Sequence, residues 1–117
     1  MKLINILFVI GFISLISCTN DSESDLMIEL DTITYTNRIK VIIDGNCIIC
    51  HHSGADAIGF FPLETYEQVK DETLNGELLV RIQLEQGNSL LMPQGRDRLS
   101  QGLIDDILSW QDGGYLE

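Results

Sequence analysis

The sequence predicts an all-α fold of about four short helices, and three observations carry that reading. Apolar residues recur at helical spacing in two distant stretches: Tyr35, Ile39, Ile42 and Ile43, then Leu103, Ile104, Ile107 and Trp110. No stretch shows the apolar–polar alternation of a half-buried strand, and no internal repeat is visible. Between the two stretches, helix-start signals alternate with Gly- and Pro-marked stops. The 117 residues allow one domain.

Taken in order, the chain opens with Lys2 and an apolar run from Leu3 to Ser17. That run is shorter than the roughly 20 residues needed to span a bilayer, and Asn5 interrupts it. A charged start, an apolar middle and a small residue at the cut read as a secretory signal over residues 1–17, with a retained anchor helix as the alternative. Residues 18–33 are rich in acidic and small polar residues and read as a flexible tether, Met27 included. The domain is expected over 34–117. Its first helix carries Arg38 and Lys40 on the outer side and ends or bends at Gly45-Asn46. Ser53-Gly54 begins a loop that runs to Phe60-Phe61-Pro62-Leu63. Thr65-Tyr66-Glu67-Gln68 has capping-box spacing, which predicts a helix to about Thr73. A third helix follows Gly76, turns Leu78, Leu79 and Ile82 inward and stops near Gln86-Gly87. Leu90 to Gly95 cannot continue it, because Pro93 lacks an amide donor and Gly95 invites a turn. Ser100 is expected to cap the last helix, which ends at Asp112-Gly113-Gly114.

The chemistry concentrates in Cys47-Ile48-Ile49-Cys50-His51-His52. Two thiols on one helical turn, followed at once by an imidazole, form the pattern of covalent c-type haem attachment: the thiols meet the two vinyl groups and His51 meets the iron. Zinc would need further ligands, and no Cys or His follows His52. A thioredoxin-like pair would follow a strand, whereas the flanks here read as helix. A structural disulfide would leave His51 unexplained. One covalently bound haem c is therefore the expected cofactor. Met92 is the only methionine after the motif and precedes Pro93, which would stiffen its loop; it is the candidate second axial ligand, against the alternative of core filler. His52 leaves the helix about 100° from His51 and reads as solvent-facing. Arg96 and Arg98 follow the methionine loop and are candidates for the haem propionates, or else solvated loop residues. Tyr66, Phe60, Phe61 and Trp110 read as haem-pocket or helix-packing residues.

The net charge is −11, and loss of the signal with its Lys2 moves it to −12. Such acidity argues against nucleic acid and against direct adhesion to anionic lipid. It suits a redox partner with a basic docking patch, or serves solubility alone.

Two resemblances add to this. Leu15-Ile16-Ser17-Cys18 resembles the lipobox of bacterial lipoproteins, which implies that Cys18 becomes the acylated first residue of an extracytoplasmic, membrane-tethered chain. From Tyr35 to Leu116 the chain is similar to small class I c-type cytochromes, especially the single-domain haem lipoproteins of Gram-negative bacteria. The elements that carry it are Tyr35-x-x-x-Ile39, Cys47-x-x-Cys50-His51, Pro62-Leu63-x-Thr65-Tyr66, Leu91-Met92-Pro93-x-Gly95, Leu99-Ser100 and Ile107-x-x-Trp110. The resemblance implies a cytochrome c-like fold, crossing terminal helices, His51/Met92 iron ligation and single-electron transfer without catalytic turnover. It also implies that the Pro62 carbonyl receives the second ring N–H of His51. A haem-based small-molecule sensor, or an accessory haem subunit of a larger oxidoreductase, is the alternative.

Overall fold

A computed structural model describes residues 32–117, which form one compact unit from Thr32 to Glu117. The expected signal, Cys18 and the tether as far as residue 31, with Met27, lie outside the described residues. The described residues are helical, and none of their helices is long and apolar enough to cross a membrane.

The first helix opens on a capping box. The Thr34 hydroxyl accepts the Asn37 amide at 3.2 Å while the Asn37 side chain accepts the Thr34 amide at 2.9 Å. Its first turn, Tyr35–Ile39, is π-helical, and it continues as helix α1, Lys40–Asn46. The apolar spacing buries Tyr35, Ile39, Ile42 and Ile43 and leaves Val41 in solvent. Helix α2, Tyr66–Leu74, starts with the capping box expected at Thr65 and Gln68. Helix α3, Leu78–Ile82, is shorter than expected and stops before Gln86. The segment after it is held from a distance: Arg98 Nε donates to the Leu84 carbonyl at 2.9 Å, and the Gln86 side chain accepts the Arg98 amide. Helix α4, Gln101–Asp112, buries Ile104, Ile107 and Trp110. Two expectations about α4 need correction. Ser100 caps with its backbone carbonyl, which accepts from Leu103 and Ile104, and its side chain makes no cap bond. Leu103 is only half-buried, because it sits at the edge of the apolar stripe.

The opening helix packs on α4, and the Arg38–Asp106 ion pair at 2.6 Å spans the two on the solvent side. Four aromatic rings fill the corner beneath. Trp110 meets Tyr115 edge-on at 4.9 Å, and Tyr35 meets Tyr66 edge-on at 5.5 Å. The chain then turns at Gly114 and Tyr115, both in the left-handed region, so that the tail returns over this corner. The Leu116 carbonyl accepts from the Tyr35 amide and from Trp110 Nε1, each at 2.7 Å, and the Tyr115 carbonyl accepts from the Tyr66 hydroxyl. The Tyr115 hydroxyl itself is buried without a partner among the described residues. Tyr66 and Trp110 thus serve helix packing, whereas Phe60 and Phe61 line a cavity.

Candidate functional site

At the end of α1 the backbone makes one more turn. Cys47 donates back to Ile43, and the Cys47 carbonyl then accepts from Cys50 at 3.1 Å and from His51 at 3.0 Å. Cys47, Cys50 and His51 therefore leave one helical turn in succession, both cysteines as free thiols. The loop after them folds back and fixes the peptides around His51. Gly59 donates to the Cys50 carbonyl and Leu63 to the His51 carbonyl, each at 2.8 Å.

The imidazole is held on three sides. Nδ1 lies 2.9 Å from the Phe61 carbonyl, the Phe61 ring stacks obliquely at 4.8 Å, and the Gly59 backbone covers one ring edge. A carbonyl oxygen can only accept, so Nδ1 carries the proton and Nε2 keeps its lone pair. The carbonyl in question belongs to Phe61 and not to Pro62, as the resemblance implied. Leu63 pairs with the His51 carbonyl, so the residue two positions earlier is drawn under the ring.

The next contributor arrives from a separate loop. Met92 is half-buried and precedes Pro93 across a cis peptide bond. Its amide donates to the Arg81 carbonyl on α3 at 3.2 Å, while the buried Leu91 donates to Asn88. Cys47, Cys50, His51 and Met92 line one cavity of about 450 Å3. That volume lies within the range of cofactor pockets, roughly 300–1,000 Å3. The wall is chiefly apolar, and several of its side chains are exposed: Ile49 (72%), Ile58 (78%), Leu90 (54%) and a fully exposed Phe60. Glu77 and Arg81 also line it, joined by an ion pair on α3.

Burial pushes the Cys47 thiol up to about 11, against a smaller downward pull from Arg96. A redox-active cysteine pair works through a thiol whose pKa is lowered. Here burial acts the other way, which counts against a thioredoxin-like reading. Among the described residues no group of three or more His, Cys, Asp or Glu side chains is placed to hold a metal ion.

His52 lies beside the motif but does not line this cavity; its Nδ1 accepts the Gly54 amide at 3.1 Å. Arg96 lines the cavity, whereas Arg98 is turned to the Leu84 carbonyl and the Gln101 side chain. Pro62 is half-buried and not part of the cavity lining. The roles of Gly59, the Phe61 carbonyl and the Glu77–Arg81 pair were not read from sequence. Only the glycine left a trace there, as a residue without a side chain eight positions past His51. No protein-family model, characterised protein or solved structure matches the chain.

Proposed function

We propose that the protein is a monohaem c-type cytochrome that carries single electrons, with His51 and Met92 as axial iron ligands. The observation that carries the reading is the shared cavity: two thiols one helical turn apart, an imidazole with a free Nε2 and a thioether from a distant loop all line it. The residues fit a porphyrin in two further respects. Exposed Ile49, Ile58, Phe60 and Leu90 around an apolar wall are costly in water and would be covered by a large apolar ring. The donor set is that of a low-spin electron-transfer haem, with one nitrogen and one sulfur.

When bound, haem supplies the iron that alternates between two charge states. The chain supplies the rest. Cys47 and Cys50 would hold the group through two thioethers, each S–H adding across one vinyl group, which would prevent its loss outside the cell. The Phe61 carbonyl, by holding the Nδ1 proton, orients His51 and makes Nε2 a stronger donor. The Arg81 carbonyl fixes the Met92 loop from α3. Two strong ligands leave no position for a substrate, which favours electron transfer over turnover. The reading includes lipidation of Cys18, at the end of Leu15-Ile16-Ser17-Cys18, which would tether the domain to a bacterial membrane outside the cytoplasm. The acidic chain is suited to a basic redox partner.

The test is an absorption spectrum of full-length protein made together with haem-attachment machinery. Thioether-type haem bands and a weak sulfur-to-iron band in the oxidised protein are expected. A colourless, folded product refutes the reading. Ready binding of CO by the reduced protein at neutral pH would instead favour a sensor.

A further inference from the structure

The loop that holds His51 is itself tied shut at its base. It leaves the motif at Ser53 and returns at Leu63 and Glu64, and on the way it carries Gly59 and Phe61, the two residues set against the imidazole. One closure is backbone, from the Leu63 amide to the His51 carbonyl. The other is a side chain. Glu64 Oε2 accepts the Ser53 amide at 3.0 Å and also the Ser53 hydroxyl. One carboxylate oxygen therefore joins the residue two positions after His51 to the residue three positions after Phe61.

Glu64 is fixed in turn from behind. Its amide donates to Gln68 Oε1 at 2.9 Å, and the same oxygen accepts the Thr65 amide at 3.0 Å. Gln68 is one half of the capping box of α2, so the clamp is anchored on the end of a helix. Inside the loop the bonds are short in range: Gly54 donates to His52 Nδ1 and Ala57 to the Gly54 carbonyl, while Ile58 and Phe60 stand in solvent. A loop with so few packed side chains takes the position of its carbonyls largely from how its ends are held. Ser53 and Glu64 are both exposed, so the pair adds little to the core and acts through what it holds.

Resting on the electron-carrier reading, we propose that Glu64 is a positioning residue for the axial ligand His51: by clamping Ser53 it keeps the loop closed and the Phe61 carbonyl on the Nδ1 proton. Glu64 does not line the cavity, so its influence passes through Ser53 and the loop to Phe61. The firmer the bond from Nδ1 to that carbonyl, the more electron density Nε2 offers to a metal. An electron-rich imidazole favours ferric iron, so a loosened clamp raises the reduction potential. Loss of a negative charge at position 64 would also raise it, and the two causes separate on substitution. Glutamine removes the charge but keeps an oxygen able to accept both Ser53 donors, whereas alanine removes both.

The test uses the full-length, haem-loaded protein and its Glu64→Ala, Glu64→Gln, Ser53→Ala and Asn37→Ala variants. Two quantities are read: the rate at which the His51 Nδ1 proton exchanges with solvent in the reduced protein, by NMR, and the reduction potential. Glu64→Ala should speed the exchange about three- to tenfold, the equivalent of one ordinary hydrogen bond, and raise the potential. Glu64→Gln should stay close to the parent in both. Ser53→Ala loses the hydroxyl bond alone and should fall between the parent and Glu64→Ala. Asn37→Ala breaks the capping box of the first helix, away from the loop, and should lower the melting temperature without moving either quantity. The proposal is overturned if Glu64→Ala changes neither quantity. It is overturned equally if Glu64→Gln matches Glu64→Ala, which would assign the effect to charge, or if Asn37→Ala does, which would assign it to general loosening. A parent without thioether-linked haem overturns the electron-carrier reading and this proposal together, and is recognised by colour before any exchange is measured.

Discussion

Alanine at position 59 would put its Cβ 2.4 Å from His51 Nδ1, 2.7 Å from Cε1 and 2.8 Å from Cγ. Carbon contacts settle at about 3.5–4.0 Å, so the ring must retreat by about 1 Å. It has little room, because Phe61 stacks on it and Nδ1 is held at 2.9 Å by the Phe61 carbonyl. Overpacking of this kind costs about 1–3 kcal/mol, and loss of the hydrogen bond about 1 kcal/mol more. A combined loss of about 2–4 kcal/mol lowers the melting temperature of a domain of this size by about 10–30 °C. The control is Gly45→Ala, within α1, where an added Cβ meets nothing within 4 Å. There the helix should gain about 0.5–1 kcal/mol. Both variants of the haem-loaded protein are melted by far-UV dichroism, and their oxidised spectra are compared with the parent. If Gly59→Ala melts with the parent and keeps the same spectrum, the imidazole is not held against Gly59 and the argument for its fixed tautomer fails with it.

Met92→Ala should leave haem attached, abolish the sulfur-to-iron band, make reduction harder and open the reduced iron to CO; persistence of the band in this variant, with its loss in Met27→Ala, would reassign the ligand. The Cys47→Ala, Cys50→Ala double variant should be molten by near-UV dichroism. At about 24 cal/mol per Å3 a closed void the size of this cavity, about 450 Å3, would cost about 11 kcal/mol, as much as a domain's whole stability, and an open mouth reduces this only in part. A sharp thermal transition in that variant would show that the helices close without the porphyrin. Tyr115→Phe removes the buried hydroxyl that has no partner, so urea denaturation should show a change between zero and a gain of about 1 kcal/mol; a loss larger than 1 kcal/mol would mean that the hydroxyl is bonded.

What the sequence made legible was local. The Thr65–Gln68 capping box closes within four residues, and the stripe of Ile104, Ile107 and Trp110 follows from helical spacing alone. The turn that presents Cys47, Cys50 and His51 is equally local. Long-range bonds were not legible. The segment after α3 is held by Arg98, fourteen positions from the carbonyl it captures. The π-helical turn at Tyr35 requires bonds one residue longer than the apolar periodicity implies. The partner of His51 was misplaced by one residue because spacing can count to a proline but cannot say which carbonyl a returning loop turns inward. Likewise, the motif named Met92 as a companion, but its arrival at the same cavity depends on its bond to the Arg81 carbonyl.

The returning tail also sets an order of events. Tyr35, near the start of the folded unit, and Trp110 both wait for the carbonyl of Leu116. The helix ahead of Cys47 can form early, but its seal against α4 cannot be made before Leu116 is in place. Contacts so distant in sequence are slow to find. Until then Cys47 and Cys50 stand on a turn at the end of an unsealed helix. Once Leu116 docks, the aromatic corner is shut by residues that do not line the cavity of Cys47, Cys50, His51 and Met92. The clasp therefore comes late in folding, and it seals the helices against one another while leaving the mouth of the cavity uncovered.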